Sequence, residues 1–359
     1  MRTLLILIAF TCTALAQRHK IEEVDSEKPE GKLLQQIMQE NDAAKRTPLL
    51  EQFAGQFPKH EGAAWVLELL QQTYVKAGDP DKIIAAGDKL LAIDPDDPEA
   101  SLQCLKAAET KKDVALIKKY AASTTAAAHK LPAAEAESAK YFLSNADFIL
   151  YKAAAESRDP KVTIDLAETL VKQSPKGEYT PRIVPTLFNA YRQNNDAAKA
   201  LALAEQTLAT DQSSEDMLLV VADSYSTQKK EPQKVHEYTA KVVELMNTKP
   251  KMEGMSDADW TTRKNLLTGV AHYLNGKLYY TEGNFGKADA ELRAALPLVE
   301  NNASMKPEVL YLLGFANYKL DKAQEAANYY RACAAIKSPF QALATKNLAG
   351  IKTQYTGIK

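Results

Sequence analysis

Histidine and cysteine are the side chains of this 359-residue chain that most often bind metals or act in catalysis, and their spacing favours no known site. The five histidines are scattered along the sequence, at His19, His60, His129, His236 and His272. None of them belongs to an H-E-x-x-H motif or to a cysteine–histidine cluster with metal-ligand spacing. No G-x-S-x-G elbow, P-loop or G-x-G-x-x-G turn precedes a helix. We therefore expect no metal, no cofactor and no catalysis.

A run of carboxylates, Asp94, Asp96 and Asp97, surrounds Pro95 and has a structural explanation. Acidic residues in short turns commonly cap helices. Acid–base catalysis by a carboxylate pair would need a shared cleft, and the sequence does not indicate one. We interpret these residues as helix caps.

The charge balance of the chain is close to neutral, with 45 basic and 46 acidic residues. Nucleic-acid binding usually needs a basic excess or a basic stripe, because phosphate neutralisation drives it. The sequence therefore disfavours a nucleic-acid partner. Its 45% hydrophobic content is ordinary for a folded protein with a core.

The first sixteen residues resemble a secretory signal peptide. Arg2 precedes an apolar run, Leu4 to Phe10, and Ala14 to Ala16 forms a small-residue cleavage site. An uncleaved membrane anchor needs about 20 apolar residues, and this run ends at Gln17. We expect cleavage after Ala16, no stable membrane insertion afterwards, and a periplasmic or secreted location.

Only Cys104 and Cys333 follow the predicted cleavage site, and they lie far apart in sequence. Exported domains that depend on disulfides are usually dense in cysteine. We therefore predict two buried cysteines rather than a bridge.

From Lys32 onward the sequence predicts helix after helix, and two segments align as repeats. "GDPDKIIAAGDKLLAIDP" (78–95) matches "RDPKVTIDLAETLVKQSP" (158–175). Asp79 and Asp159 can accept the unpaired N–H groups of a helix start, while Pro80 and Pro160 occupy the first helical position. Each segment therefore predicts the second helix of a repeating pair.

"YYTEGNFGKADAELRAAL" (279–296) shows how the two helices of a pair are joined. A glycine inside a helix costs about 1 kcal/mol relative to alanine, so the break at Gly283 indicates a tight turn. Gly276, Ala288 and Ala295 are small enough for two antiparallel helices to approach closely. Tyr191 and Tyr225, 34 residues apart, mark the first helix of successive pairs.

This pattern resembles the tetratricopeptide repeat, a 34-residue helix–turn–helix with small residues and an aromatic at set positions. Gly276, Tyr279, Ala288 and Ala295 fit those positions. The next copy offers Gly314, Ala326 and Cys333, with Asn317 in place of the aromatic. Elsewhere the match is looser: Gln71 and Phe188 replace the glycine, and Ile83 and Thr163 replace the alanine.

The resemblance implies an all-α, right-handed α-solenoid of about eight helical hairpins with a C-terminal capping helix. The segment 111–131 matches poorly, and about twenty extra residues between Tyr225 and Tyr279 predict a loop before a helix capped at Ser256. The predicted organisation is a signal peptide (1–16), a flexible charged lead-in (17–31), degenerate N-terminal hairpins (32–175), C-terminal repeats (179–337), and a capping helix with a tail (338–359).

In this family the inner helices line a groove that binds partners. The positions that the resemblance assigns to the groove are Tyr273, Lys277, Tyr280, Tyr311, Phe315, Tyr318 and Lys319, with Arg182, Asn189 and Arg192 further upstream. Exposed aromatics with basic neighbours are typical of peptide grooves and interface hot spots. The alternative is that half of these tyrosines pack between repeats. His272 lies where the family packs a large residue, so we interpret it as a core or interface residue.

The resemblance implies a non-catalytic scaffold that binds proteins or peptides in a bacterial periplasm or envelope. Two other functions stay open at this point. One is an accessory role in cell-wall hydrolysis, and the other is a structural role through self-association as a homo-oligomer.

Overall fold

The computed structural model describes residues 18–21 and 24–355, and every regular element among them is a helix. The predicted signal peptide and Ala16 lie outside these residues. The chain divides into an N-terminal unit, Met1–Asn195, and a C-terminal unit, Asp196–Lys359. The predicted division at 175–179, between degenerate hairpins and more regular repeats, stays a prediction. None of the described helices has the length and apolar character needed to cross a membrane.

The N-terminal unit contains nine α-helices among its described residues, and a 3₁₀ turn at Ala133–Glu135 precedes the seventh. The helices are α1 (Pro29–Gln39), α2 (Ala43–Gln56), α3 (Ala63–Ala77), α4 (Pro80–Ile93), α5 (Pro98–Lys111), α6 (Val114–Ala128), α7 (Ala136–Glu156), α8 (Pro160–Gln173) and α9 (Thr180–Gln193). Each helix packs on the next, and several alternate helices also touch (α3 with α5, α5 with α7, α6 with α8, α7 with α9), so the hairpins stack in chain order.

The C-terminal unit contains eight α-helices among its described residues, and the last of them packs on α16. They are α10 (Ala197–Leu208), α11 (Glu215–Gln228), α12 (Pro232–Thr248), α13 (Asp257–Thr281), α14 (Phe285–Ala295), α15 (Met305–Lys319), α16 (Ala323–Ala334) and α17 (Gln341–Gln354). The predicted all-α fold of about eight hairpins with a final capping helix is confirmed.

The predicted helix starts are confirmed by their caps. The Asp79 carboxylate accepts from the Lys82 N–H at 3.1 Å, and Asp159 accepts from the Lys161 N–H at 2.9 Å. Proline occupies the first turn of both helices. A cap of this kind contributes about 1 kcal/mol. Asp97 caps α5 in the same way through the Ala100 N–H, as the acidic run predicts.

The close approach predicted for the 279–296 hairpin is also confirmed. Ala288 and Ala295 are fully buried between α13 and neighbouring helices. A Cβ placed on Gly276 would lie 2.7 Å from Leu292 Cγ, so only glycine fits at this separation. Gly283 adopts a φ of 76°, the left-handed conformation that glycine takes without strain.

The extra residues between Tyr225 and Tyr279 are distributed differently from the prediction. The loop from 249 to 256 is short, because α13 has 25 residues and takes up most of the added length. Ser256 caps α13, as predicted, by accepting from the Asp259 N–H at 3.1 Å. The poorly matching segment 111–131 forms α6, whose alanines, Ala121 among them, pack in the core.

The described residues of the predicted lead-in, 18–21 and 24–31, make contacts with the N-terminal unit. Among the described residues of this segment, Arg18 donates to Asp94, His19 bonds to Glu68, and α1 begins at Pro29. Ile21 also packs against the hydrophobic core. These ionic and apolar contacts hold the segment against the N-terminal unit.

Cys104 and Cys333 are both buried and free, as predicted. They belong to different units. Burial raises the pKa of the Cys333 thiol to about 11. Burial also raises the pKa of Cys104, so neither is a reactive thiolate at neutral pH.

Candidate functional site

Three aromatic rings of the C-terminal unit meet where α13, α14 and α15 come together. Tyr280 ends one helix, Phe285 begins the next, and Phe315 projects from the third. The Tyr280 ring lies 5.2 Å from that of Phe315 and 6.1 Å from that of Phe285, both edge-on. The two phenylalanine rings are 5.9 Å apart. Edge-to-face contacts of this kind orient the rings firmly.

Further rings continue this patch along α15. Tyr311 lies 5.4 Å from Phe340, which precedes α17, and the Tyr318 hydroxyl donates to Gln354 at 3.1 Å. The exposed ammonium of Lys319 lies 5.4 Å from the centre of the Phe315 ring. Each of the six rings is only partly buried. We define the aromatic surface as Tyr280, Phe285, Tyr311, Phe315, Tyr318 and Phe340, together with Lys319.

Two of the predicted groove residues, Tyr273 and Lys277, make contacts within the C-terminal unit. Tyr273 is only 6% exposed, so its assignment to an open groove is corrected: it packs in the core. Burial raises its pKa to about 12. Lys277 donates to the Tyr273 hydroxyl at 3.1 Å and pairs with Glu308 at 2.8 Å. Burial lowers the pKa of Lys277, but the bonds to Glu308 and Tyr273 outweigh it and raise the pKa overall.

The upstream candidates Arg182, Asn189 and Arg192 are exposed on α9 of the N-terminal unit. Arg182 pairs with Glu178 at 2.8 Å, and its guanidinium lies 5.4 Å from the centre of the Tyr179 ring. Arg192 lies 5.8 Å from the Phe188 ring. These three residues belong to a different unit from the aromatic surface.

Sequence reasoning missed Phe285 and Phe340. Phe285 belongs to the G-N-F-G segment, whose glycines were explained by the turn that they make. Phe340 lies in the connection before the last helix. The available signal was an aromatic residue at a helix start, at a place where the glycines alone are enough to make the turn. Both rings contact rings that the sequence did predict.

Three of the five histidines, His19, His236 and His272, pair with carboxylates. The His272 Nδ1 lies 2.7 Å from Glu291 in the facing helix, which agrees with its interpretation as an interface residue. Among the residues that the structure describes, His19, Asp94 and Asp97 form a cluster whose ligand atoms lie within 4.8 Å of one another. The hydrogen bond to Glu68 is the main cause that raises the pKa of His19.

The side chains of this cluster are of types that can bind a metal cation, but the chain itself places basic side chains against the carboxylates. Arg18 Nε lies 2.7 Å from Asp94 Oδ2, and His19 Nε2 lies 3.2 Å from the same oxygen. Asp97 uses its other oxygen to cap α5. We interpret the cluster as the ionic contact that secures the segment before α1.

No protein-family model matches this chain, and no curated protein matches it in sequence. Solved structures are similar to it at low identity. The thermophilic TPR protein TTC0263 of Thermus thermophilus is 16% identical, covers 58% of this chain and 99% of its own, and has a TM-score of 0.28. The P58(IPK) TPR domain is 13% identical, with 92% and 100% covered and a TM-score of 0.31. The apo quorum sensor NprR from B. thuringiensis is 14% identical, with 91% and 81% covered and a TM-score of 0.33.

Proposed function

We propose that this chain, an all-α protein of the tetratricopeptide-repeat type, is a non-catalytic scaffold that binds a protein or peptide through its aromatic surface. The observation that carries this proposal is the set of six partly exposed rings, with the Lys319 ammonium over one of them. Tyrosine is enriched at interface hot spots, because it combines a large contact area with a polar group.

A partner would gain energy mainly by covering the exposed ring edges. Burying apolar surface contributes about 25 cal/mol per Å², and the ring contacts among Tyr280, Phe285 and Phe315 fix these side chains before binding. Rings that are already ordered lose little conformational freedom on association. This supports a preformed site on the C-terminal unit.

We also propose that the chain is exported and works in a bacterial periplasm or envelope. The support is the charged, apolar and small-residue succession of the first sixteen residues. Expression of the full sequence in a bacterium, followed by N-terminal sequencing of the mature product, tests this. The proposal requires a periplasmic product that begins at Gln17. A cytoplasmic product that retains Met1 would refute it.

The partner proposal is tested by affinity capture from envelope extract with the chain from Gln17 as bait. The double variant Tyr280→Ala/Tyr318→Ala removes two rings of the aromatic surface. Tyr141→Ala is the matched control, because Tyr141 is 45% exposed on α7 of the other unit. We expect a protein that the wild type and the control capture and the folded double variant does not. Equal capture by all three would exclude the aromatic surface.

Self-association is a second candidate, favoured by one observation. Leu343 on the last helix is 48% exposed, so the end of the C-terminal unit presents an apolar side chain. Light scattering coupled to size exclusion measures the mass directly. A monomer at every concentration would leave only the partner proposal.

A further inference from the structure

An open cleft lies in the N-terminal unit, where the end of α6, the first half of α7 and the turn before α9 meet. Its volume is about 490 Å³, within the range of ligand pockets. Most of its wall is apolar, and the lining includes Leu131, Pro132, Ala136, Ala139, Leu143 and Tyr179.

A single buried carboxylate, Asp147 of α7, also lines this cleft. Asp147 is only 5% exposed. One of its oxygens accepts from Ser174 Oγ at 2.8 Å and from Gln173 Nε2 at 3.2 Å. Burial raises the pKa of the Asp147 carboxyl group overall, although these hydrogen bonds and the nearby His129 act in the opposite direction.

Asp147 forms no ion pair with a lysine or arginine among the residues that the structure describes, and His129 is the charged group that acts on it from further away. No lysine, arginine or histidine nitrogen in that part of the chain approaches its oxygens within 4.0 Å, although Lys140 and His129 also line the cleft. A buried charge without a partner is costly, and proteins usually pair such groups. Burial disfavours the charged form of Asp147, and a cationic ligand would supply the compensation that the hydrogen bonds from Ser174 and Gln173 give only in part.

The rim of the cleft is organised differently from its interior. Its carboxylate, Glu178, is already paired with Arg182 at 2.8 Å. Tyr179 is held by the rings of Phe148 at 5.6 Å and Tyr151 at 5.4 Å. The charge of Glu178 is therefore neutralised by its ion pair, and the Tyr179 ring is held in place. Asp147 is the carboxylate of the cleft that remains for an incoming cation.

We infer that this cleft binds a lysine or arginine side chain of a partner polypeptide, with the aliphatic stem along the apolar wall and the cation at Asp147. Lysine and arginine match both features, because they combine a long apolar stem with a charged head. The volume also leaves room for the flanking backbone of the partner. The inference stands independently of the aromatic surface, which belongs to the other unit.

Two acetylated, amidated tripeptides test it: Gly-Lys-Gly and Gly-norleucine-Gly, which share the aliphatic stem and differ in the ammonium. Each is titrated into the ¹⁵N-labelled chain from Gln17, and amide shifts near Leu143 and Gly177 are followed by NMR. We expect saturable shifts and about tenfold tighter binding of the lysine peptide, as a charge-assisted hydrogen bond would provide.

Asp147→Asn keeps an acceptor oxygen for Ser174 and removes the charge, so it should abolish the preference for lysine. Glu137→Gln, an exposed change on the same helix, should retain it. The inference is overturned if the two peptides bind equally, if neither produces saturable shifts, or if the preference survives in a folded Asp147→Asn variant.

Discussion

Paired helices approach closely in both units, but the small residue at the contact lies on the first helix in one unit and on the second helix in the other. In the C-terminal unit the first helix supplies a small residue and the second a large one: Gly276 faces Leu292, and Gly314 faces Tyr330. In the α3–α4 hairpin of the N-terminal unit the order is reversed, because Gln71 on the first helix faces Gly87 on the second. The contact needs one small residue, and either helix can supply it.

The sequence has the same two orders at the same offset in some other hairpins of each unit. A large residue precedes a small one by sixteen positions at Leu105 and Ala121, and at Tyr151 and Ala167, in the N-terminal unit. The order is small then large at Ala222 and Tyr238 in the C-terminal unit. When the small residue lies on the second helix, the two helices can still approach closely. The first helix then lacks the glycine that identifies the repeat. This explains why the N-terminal hairpins match the family pattern loosely.

The largest expected effect comes from filling the contact between Gly314 and Tyr330 in the C-terminal unit. A Cβ on Gly314 would lie 2.7 Å from two carbons of the Tyr330 ring, so Gly314→Leu should lower the free energy of unfolding by about 3 kcal/mol. Urea denaturation followed by circular dichroism measures the change.

Two further variants isolate the size relation at this contact. Gly350→Leu is the control, because nothing surrounds Gly350 within 4 Å. Adding Tyr330→Ala to Gly314→Leu should make the double variant more stable than the sum of the single changes by at least about 1 kcal/mol. Strict additivity would contradict the proposed complementarity.

In the N-terminal unit the corresponding substitution lies on the second helix. Gly87→Ala adds one methyl group that meets the Cys104 sulfur and the Gln71 amide, and should destabilise the chain by about 1–3 kcal/mol. Gly55→Ala, in α2, meets nothing and should be neutral or stabilising by up to about 1 kcal/mol. If both alanines had the same effect, the reversal would not reflect steric contact.

A smaller effect tests what Gln71 adds beyond its size. Its amide donates to the Ala100 carbonyl at 3.1 Å and so joins α3 to the next hairpin. Gln71→Met keeps the length but loses this hydrogen bond, which should cost about 1 kcal/mol. The neighbouring exposed residue supplies the control, Gln72→Met. Equal stabilities of these two variants would mean that Gln71 acts only as a spacer.

The smallest effect concerns the ionic contact before α1, which only the N-terminal unit has. His19 faces Arg18, Glu68, Asp94 and Asp97, and its pKa is raised in the folded chain, chiefly by Glu68. A raised folded pKa stabilises the fold below the unfolded pKa of about 6.5. That stabilisation is lost as the pH rises through the folded pKa.

His19→Gln should therefore lower the unfolding free energy at about pH 5 by less than about 1 kcal/mol, and by less again at about pH 8. Urea midpoints of the wild type and the variant at both pH values check this. A stability difference between wild type and variant that grows with pH would contradict a raised pKa of His19 in the folded chain.

The sequence predicted the features that depend on neighbouring residues. Aspartate–proline starts, the Gly283 turn and small residues at a fixed offset report local geometry, so Asp79, Asp159 and Ala288 were assigned correctly. Contacts between distant residues were not predictable. His19 reaches Glu68 across 49 positions, and Tyr273 is buried by neighbouring helices that its own spacing does not reveal.

The surfaces of the two units differ as much as their packing. The C-terminal unit presents partly exposed rings beside Lys319, whereas the N-terminal unit encloses an unpaired carboxylate in an apolar cleft. The first suits an apolar or aromatic segment and the second a basic side chain. One partner polypeptide could supply both, but each surface is testable alone.

Calorimetric titration of the partner recovered by capture tests the central claim, that the aromatic surface is the binding site. The account predicts that Tyr280→Ala/Tyr318→Ala weakens the partner's affinity at least about tenfold, while Tyr141→Ala leaves it unchanged. Wild-type affinity in the folded double variant, or an equal loss in Tyr141→Ala, would contradict it.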